Sequence, residues 1–173
     1  MNLYMISLGG KVEGANIEVH DVQFIAANDI DNSIETLKKM WYGEPQSLHM
    51  DSHKHISSTN GYSVKLSKAK PDQSLKLYFI YLGKYDESNT QELHYVDLVV
   101  ARNEKDAKTK ALRPDREPSG THVDAVVDVE AKLHAADGET YYLILDALEA
   151  GHEASLNPVS DVKPDWKGFK KLY

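Results

Sequence analysis

The sequence predicts an α+β protein: a tandem duplication of a β-β-α-β-β unit, its two copies packed as a pseudo-twofold pair. Three observations lead there. Leu3-Tyr4-Met5-Ile6-Ser7-Leu8-Gly9 recurs 74 residues later as Leu77-Tyr78-Phe79-Ile80-Tyr81-Leu82-Gly83. The stretch from Glu18 to Phe24 recurs at the same offset as Glu92 to Leu98, so no gap separates the two matches. Leu48-His49-Met50-Asp51 and Asn60-Gly61 then find counterparts in Thr121-His122-Val123-Asp124 and Asp137-Gly138, in the same order. Similarity at a fixed period over several blocks marks a duplicated unit.

Each element is read once and checked against its counterpart. Leu3–Leu8 and Leu77–Leu82 are short apolar runs ending at Gly, the pattern of a buried strand. Polar connections follow, LGGKVEGANIE and LGKYDESNTQE, before second strands over Ile17–Ala27 and Leu93–Ala101. Asp29 and Asn103 are favoured N-cap residues, and each opens a helix. Ile30, Ile34, Leu37 and Trp41 make an apolar stripe at helical period, with Ala107, Ala111 and Leu112 its weaker counterpart. A third strand follows, and a hairpin turns at Asn60-Gly61 or Asp137-Gly138, dipeptides suited to type I′ turns.

The copies are placed at residues 1–70 and 75–148, joined by the polar linker Ser67-Lys68-Ala69-Lys70-Pro71-Asp72-Gln73-Ser74. A four-stranded sheet covered by one helix leaves half its core exposed, so each copy needs the other. Residues 149–173 match neither copy. Their aromatics, Trp166, Phe169 and Tyr173, are read as a terminal turn docking on the domain.

Composition narrows the function. With 173 residues, a net charge of -7 and pI near 5.6, the chain lacks the basic face that nucleic acid demands, and an anionic membrane surface is disfavoured too. The absence of cysteine excludes disulfides, thiolate metal sites and a cysteine nucleophile. No apolar run is long enough to span a membrane, and MNLYMISLGG lacks signal-peptide features, so a cytoplasmic location is expected.

With Leu8-Gly9-Gly10, then Ile17-Glu18-Val19-His20-Asp21-Val22, Leu48-His49-Met50-Asp51 and Asn60-Gly61-Tyr62 in order, the chain resembles an uncharacterised bacterial family, the domain of unknown function numbered fifteen forty-three. The resemblance covers the first copy well, the second more loosely and the tail hardly at all. It implies no activity and no catalytic residues.

Three stretches could carry chemistry. In the first, Glu18 and His20 share a strand face with Val22 and Phe24, and Glu92 and His94 repeat the arrangement. A carboxylate and an imidazole about 6.6 Å apart along a strand could act as an acid-base pair or as two metal ligands. The simpler reading is a buried polar pair that satisfies backbone groups of the preceding loop. In the second, Leu48–His55, alternation sets His49, Asp51, His53 and His55 on one face, a chelating pattern for a divalent metal. Only His-x-Asp recurs, as His122 and Asp124, so His53 and His55 read more simply as a wet face. The third, the loop with Gly9, Gly10 and Gly14, lacks the Walker pattern but could border a pocket.

Ligand-binding candidates are therefore Gly9, Gly10, Gly14, Glu18, His20, Asp21, Glu92 and His94, and the metal candidates are His20, His49, Asp51 and His53. In the second copy Lys84 replaces Gly10 and Tyr95 replaces Asp21, so a site needing those two residues belongs to the first copy alone. The expected function is a noncatalytic module binding a small ligand or a protein partner. The alternative is a small metal-dependent or acid-base enzyme using Glu18, His20, His49 and Asp51. Self-association through exposed sheet edges is a further expectation.

Overall fold

Both predicted opening strands form, as β1 (Asn2–Gly10) and β6 (Lys76–Lys84), each the central strand of its own sheet. The computed structural model describes residues 1–112, 120–148 and 162–173. Among the described residues the fold is mixed α+β: mostly strands, with two short α-helices. β1 pairs with β2 (Val19–Ala27) and β3 (His49–His55), while β6 pairs with β7 (Leu93–Ala101) and β8 (Thr121–Asp128). The registers correspond residue for residue: Gly9 lies opposite His20 and His49, and Gly83 lies opposite His94 and His122.

β1 and β6 are buried on both faces, which is why their sequences are continuous apolar runs. One face of β1 sends Tyr4, Ile6 and Leu8 under helix α1 (Ile34–Met40), where Leu37 is buried and Ile30, Ile34 and Trp41 pack beside it. Asp29 caps the 3₁₀ turn Ile30–Ser33 that leads into α1, closing a capping box with Asn32. Asn103 caps α2 (Glu104–Ala111), which buries Ala107 and Ala111 against Tyr78, Ile80 and Leu82 of β6. Leu112 does not join that stripe; it follows the last turn and is exposed.

The other faces of the two sheets meet. Leu3, Met5 and Phe24 pack with Leu77, Phe79, Leu98 and Val100 in one shared core, Phe24 edge-on to Phe79 at 5.6 Å. Each sheet is thus sandwiched between a helix and the other sheet.

The fourth strands depart from the expected four-stranded sheets. Asn60 (φ 56°) and Gly61 (φ 79°) make the predicted hairpin between β4 (Ser58–Thr59) and β5 (Tyr62–Ser67). The strands around Asp137-Gly138 do not pair with each other, although a turn is present, with Gly138 N–H donating to Ala135 O at 3.1 Å. β9 (Leu133–Ala135) instead runs parallel to β2, and β10 (Tyr142–Ala147) runs antiparallel to β5. Each crosses to a strand of the N-terminal half, because pairing there covers an edge that would otherwise be bare. The linker contributes as well: Gln73 bonds both Leu143 O and Leu145 N–H on β10.

Of the tail, residues 149–161 lie outside the described residues. Its end is not a turn but a strand, β11 (Trp166–Lys171), antiparallel to β3 and completing the sheet order β11-β3-β1-β2-β9. Trp166 and Leu172 anchor it on the α1 side of the sheet. Among the described residues no helix is long and apolar enough to cross a membrane.

Candidate functional site

The site begins with an interruption of strand alternation. Met50 lies opposite Leu8 and Ser52 opposite Ser7, which leaves Asp51 as the extra residue of a β-bulge. Asp124 occupies the same position, between Val123 opposite Leu82 and Ala125 opposite Tyr81. A bulge re-aims the side chains around it and reverses the facing of those beyond it. His49 and Asp51 therefore converge above Gly9, while His53 and His55 turn to the opposite face.

Four side chains gather at that point in the N-terminal half. His49 Nε2 is 2.7 Å from Glu18 Oε1 and 3.3 Å from Asp51 Oδ1. His20 Nε2 is 3.6 Å from Asp51 Oδ2. Gly9 is the floor: a Cβ there would fall 2.6 Å from His49 Nε2 and 2.8 Å from Glu18 Oε1. His49 is only 6% exposed and its Nδ1 lies 2.9 Å from Ser47 O. A carbonyl only accepts, so Nδ1 carries the hydrogen and Nε2 faces the carboxylates.

The C-terminal half holds the same quartet. His122 Nε2 is 2.8 Å from Glu92 Oε1 and 3.1 Å from Asp124 Oδ1. His94 Nε2 is 3.5 Å from Asp124 Oδ2 and 3.6 Å from Glu92 Oε2. Gly83 is its floor, where a Cβ would collide with Glu92 Oε1 and fall 2.6 Å from Asp124 Oδ2. Glu92, His94 and Asp124 each offer a ligand atom within 4.8 Å of the others, close enough for one metal ion.

Aromatic rings border both quartets. Phe169 of β11 lies 4.3 Å from the His49 ring, Tyr85 stacks at 5.4 Å on His122, and Tyr81 stacks at 4.8 Å on His94. Beside them, where the two sheets meet, is a cavity of about 610 Å³. Val22, Phe24, Phe79 and Val127 make its apolar wall, and His20, Asp21 and Lys132 supply polar groups.

The sequence-derived candidates divide accordingly. Gly9, Glu18, His20, His49 and Asp51 come together, as do Glu92 and His94. Glu18 and His20 are not a buried pair serving the loop backbone: Glu18 bonds His49, and the His20 side chain is 63% exposed. Gly10 belongs to helix packing, since a Cβ there would meet the Trp41 ring at 2.6 Å. Gly14 faces open space, and Asp21 bonds its neighbours, accepting from Val22 N–H at 2.8 Å and Gln23 Nε2 at 2.7 Å.

His53 lies apart from the other metal candidates. It stacks on Trp166 at 5.9 Å and meets Tyr4 edge-on, on the α1 side of the sheet. Burial there pushes its pKa below the usual histidine value. His55 lies beside Tyr4 on that same side. His122 and Asp124 are site residues that the candidate set omitted, although the recurrence of His-x-Asp pointed to them. The aromatic borders left no signal in either repeat.

Residues 15–66, which include all four members of the first quartet, match the family model described as Domain of Unknown Function (DUF1543), the family the sequence resembles. No curated protein matches the chain. Among solved structures, the crystal structure of the protein Il1583 from Idiomarina loihiensis is similar to this chain with a TM-score of 0.66. The two share 27% identity, over 99% of this chain and 98% of that one.

Proposed function

We propose that this protein is a noncatalytic, cytoplasmic ligand-binding module, formed by tandem duplication of a β-β-α-β-β unit and packed as a pseudo-twofold pair. Residues 1–70 and 75–148 are the two copies, and 149–173 is the C-terminal tail, whose strand β11 pairs with β3 of the domain. Corresponding registers, bulges and floor glycines in the two sheets support the duplication. So does the antiparallel pairing of β5 with β10, one strand from each half.

The carrying observation is the cavity of about 610 Å³ between the sheets. It has the size and character of a small-molecule site, an apolar wall with a few polar groups to orient a ligand. A ligand with an apolar body and one polar end fits this lining, with His20, Asp21 and Lys132 available to the polar end. Titration with an environment-sensitive apolar dye tests the reading. The folded wild type enhances the dye's emission saturably, and Ala125→Phe, which fills the cavity wall, removes the enhancement without lowering the melting temperature. No enhancement in the wild type, or equal enhancement in the variant, defeats the reading.

The second reading is a small metal-dependent or acid-base enzyme of the N-terminal half. It is favoured by one observation, the His49 imidazole held between Ser47 O and the Glu18 carboxylate. It requires turnover that His49→Ala abolishes and His122→Ala spares.

A further inference from the structure

We propose that each quartet is a binding site for one divalent transition-metal ion of the zinc class, giving two ions per chain. The proposal goes beyond the binding-module reading, because its ligand is separate from the occupant of the cavity.

The argument starts from His49. Its Nδ1 donates to Ser47 O, so in the neutral ring Nε2 has a lone pair and no hydrogen. That lone pair faces Glu18 Oε1 at 2.7 Å and Asp51 Oδ1 at 3.3 Å. Three electron-rich atoms at such distances repel unless a positive charge lies among them. A cation seated among all three would supply that charge. A ring held from behind by a backbone carbonyl is also how metal-binding histidines are commonly oriented.

In the C-terminal half the spacing suits a metal, since Glu92, His94 and Asp124 each offer a ligand atom within 4.8 Å of the others. Nitrogen and oxygen ligands about 2.0–2.2 Å from a tetrahedral zinc lie roughly 3.2–3.6 Å from one another. The histidine–carboxylate separations run from 3.1 to 3.6 Å apart from the two short ones, 2.7 Å for His49–Glu18 and 2.8 Å for His122–Glu92. Those two are hydrogen-bond lengths, and each would open by about half an ångström to seat a cation.

Charge and donor type agree. Two carboxylates and two neutral imidazoles carry a formal charge that one divalent ion cancels. Two nitrogen donors select against calcium and magnesium, which favour oxygen. The floor glycines leave the converging ligand atoms unobstructed, since any Cβ at Gly9 or Gly83 would lie among them. Finally, the quartet is assembled twice, each time from a strand opening, a bulge residue and a floor glycine in corresponding places.

The full chain, stripped of metal by chelator dialysis, is titrated with zinc in a calorimeter and separately with cobalt in a spectrophotometer. Two zinc ions bind per chain, the cobalt form shows tetrahedral visible absorption, and magnesium does not compete. His49→Gln and His122→Gln each remove one ion and half the absorption, and the double variant removes both. Asp51→Asn and Asp124→Asn provide a second pair of variants should a histidine variant fail to fold. Fewer than two zinc ions in the wild type, or two in the folded double variant, overturns the proposal. The dye titration separates the two readings. Dye binding without zinc leaves the module and removes the metal sites, whereas two zinc ions without dye binding leaves the metal sites and removes the cavity ligand.

Discussion

The ring of Phe169 lies 4.3 Å from the ring of His49, tilted by 32°, although a strand of the tail carries one and β3 carries the other. The register between these strands shifts between Lys167 and Lys170, and Phe169 sits within that shift. The irregularity brings its ring over the quartet. Phe169 is 70% exposed, so it contributes cover to His49 more than packing to the fold.

Phe169→Ala should accordingly change stability by less than about 1 kcal/mol, the range of surface substitutions. It should also speed the reaction of His49 with diethylpyrocarbonate, measured peptide by peptide in a mass spectrometer. His122 has Tyr85 beside it instead, and its rate should stay constant as an internal reference.

Gly9→Ala and Gly83→Ala test the floors. A methyl group at either place enters a space bounded by quartet atoms within 3 Å, and overpacking of this kind costs about 1–3 kcal/mol. Each substitution should lower the urea midpoint and remove one zinc ion per chain. Gly10→Ala should lower the midpoint through Trp41 yet leave zinc stoichiometry unchanged.

The shared core predicts that the two halves unfold together. Trp41 and Trp166 both pack on the N-terminal sheet, whereas Phe79 comes from the C-terminal one and meets Phe24 in the core between them. Phe79→Ala should cost about 3–5 kcal/mol, as large core truncations do. Tryptophan fluorescence and far-UV circular dichroism should shift by the same amount and remain superimposable. A fluorescence transition that stays put would mean two independent folding units.

Tyr78 sets an alkaline limit on stability. Burial under α2 raises its phenol pKa above the ordinary value near 10, with the neighbouring Lys76 ammonium opposing and Asp128 adding to the shift. The native state thus holds the proton more tightly than the unfolded chain. This contribution is fully present below about pH 10 and is lost as pH rises through the folded value. Tyr78→Phe has no phenol to ionise, so its melting temperature should fall less steeply than that of the wild type above about pH 10.

Local signals made much of this fold legible. The runs at Leu3–Leu8 and Leu77–Leu82 are apolar because both faces of β1 and β6 are buried, and that condition is written residue by residue. Asp29 and Asn103 cap their helices through bonds to N–H groups two or three residues away, so their chemistry is local too. The candidate site was half legible. Glu18, His20, His49 and Asp51 could be paired with Glu92, His94, His122 and Asp124 only because the chain states the pattern twice. His53 was misplaced because alternation was carried through Asp51 without the bulge, and one inserted residue reverses every side chain after it.

The sequence by itself determined the strands, the capped helices and the recurring Glu-x-His and His-x-Asp patterns. Tertiary structure alone decided that β9 and β10 leave their own half, that the tail becomes a strand against β3, and that His53 stacks on Trp166 rather than joining His49. The physical reason is the range of the forces involved. Caps, turns and hydrophobic period act over a few residues. Bulges and edge pairing are set by what lies across the sheet, as where Trp166 pairs with His53 more than a hundred residues away in the chain.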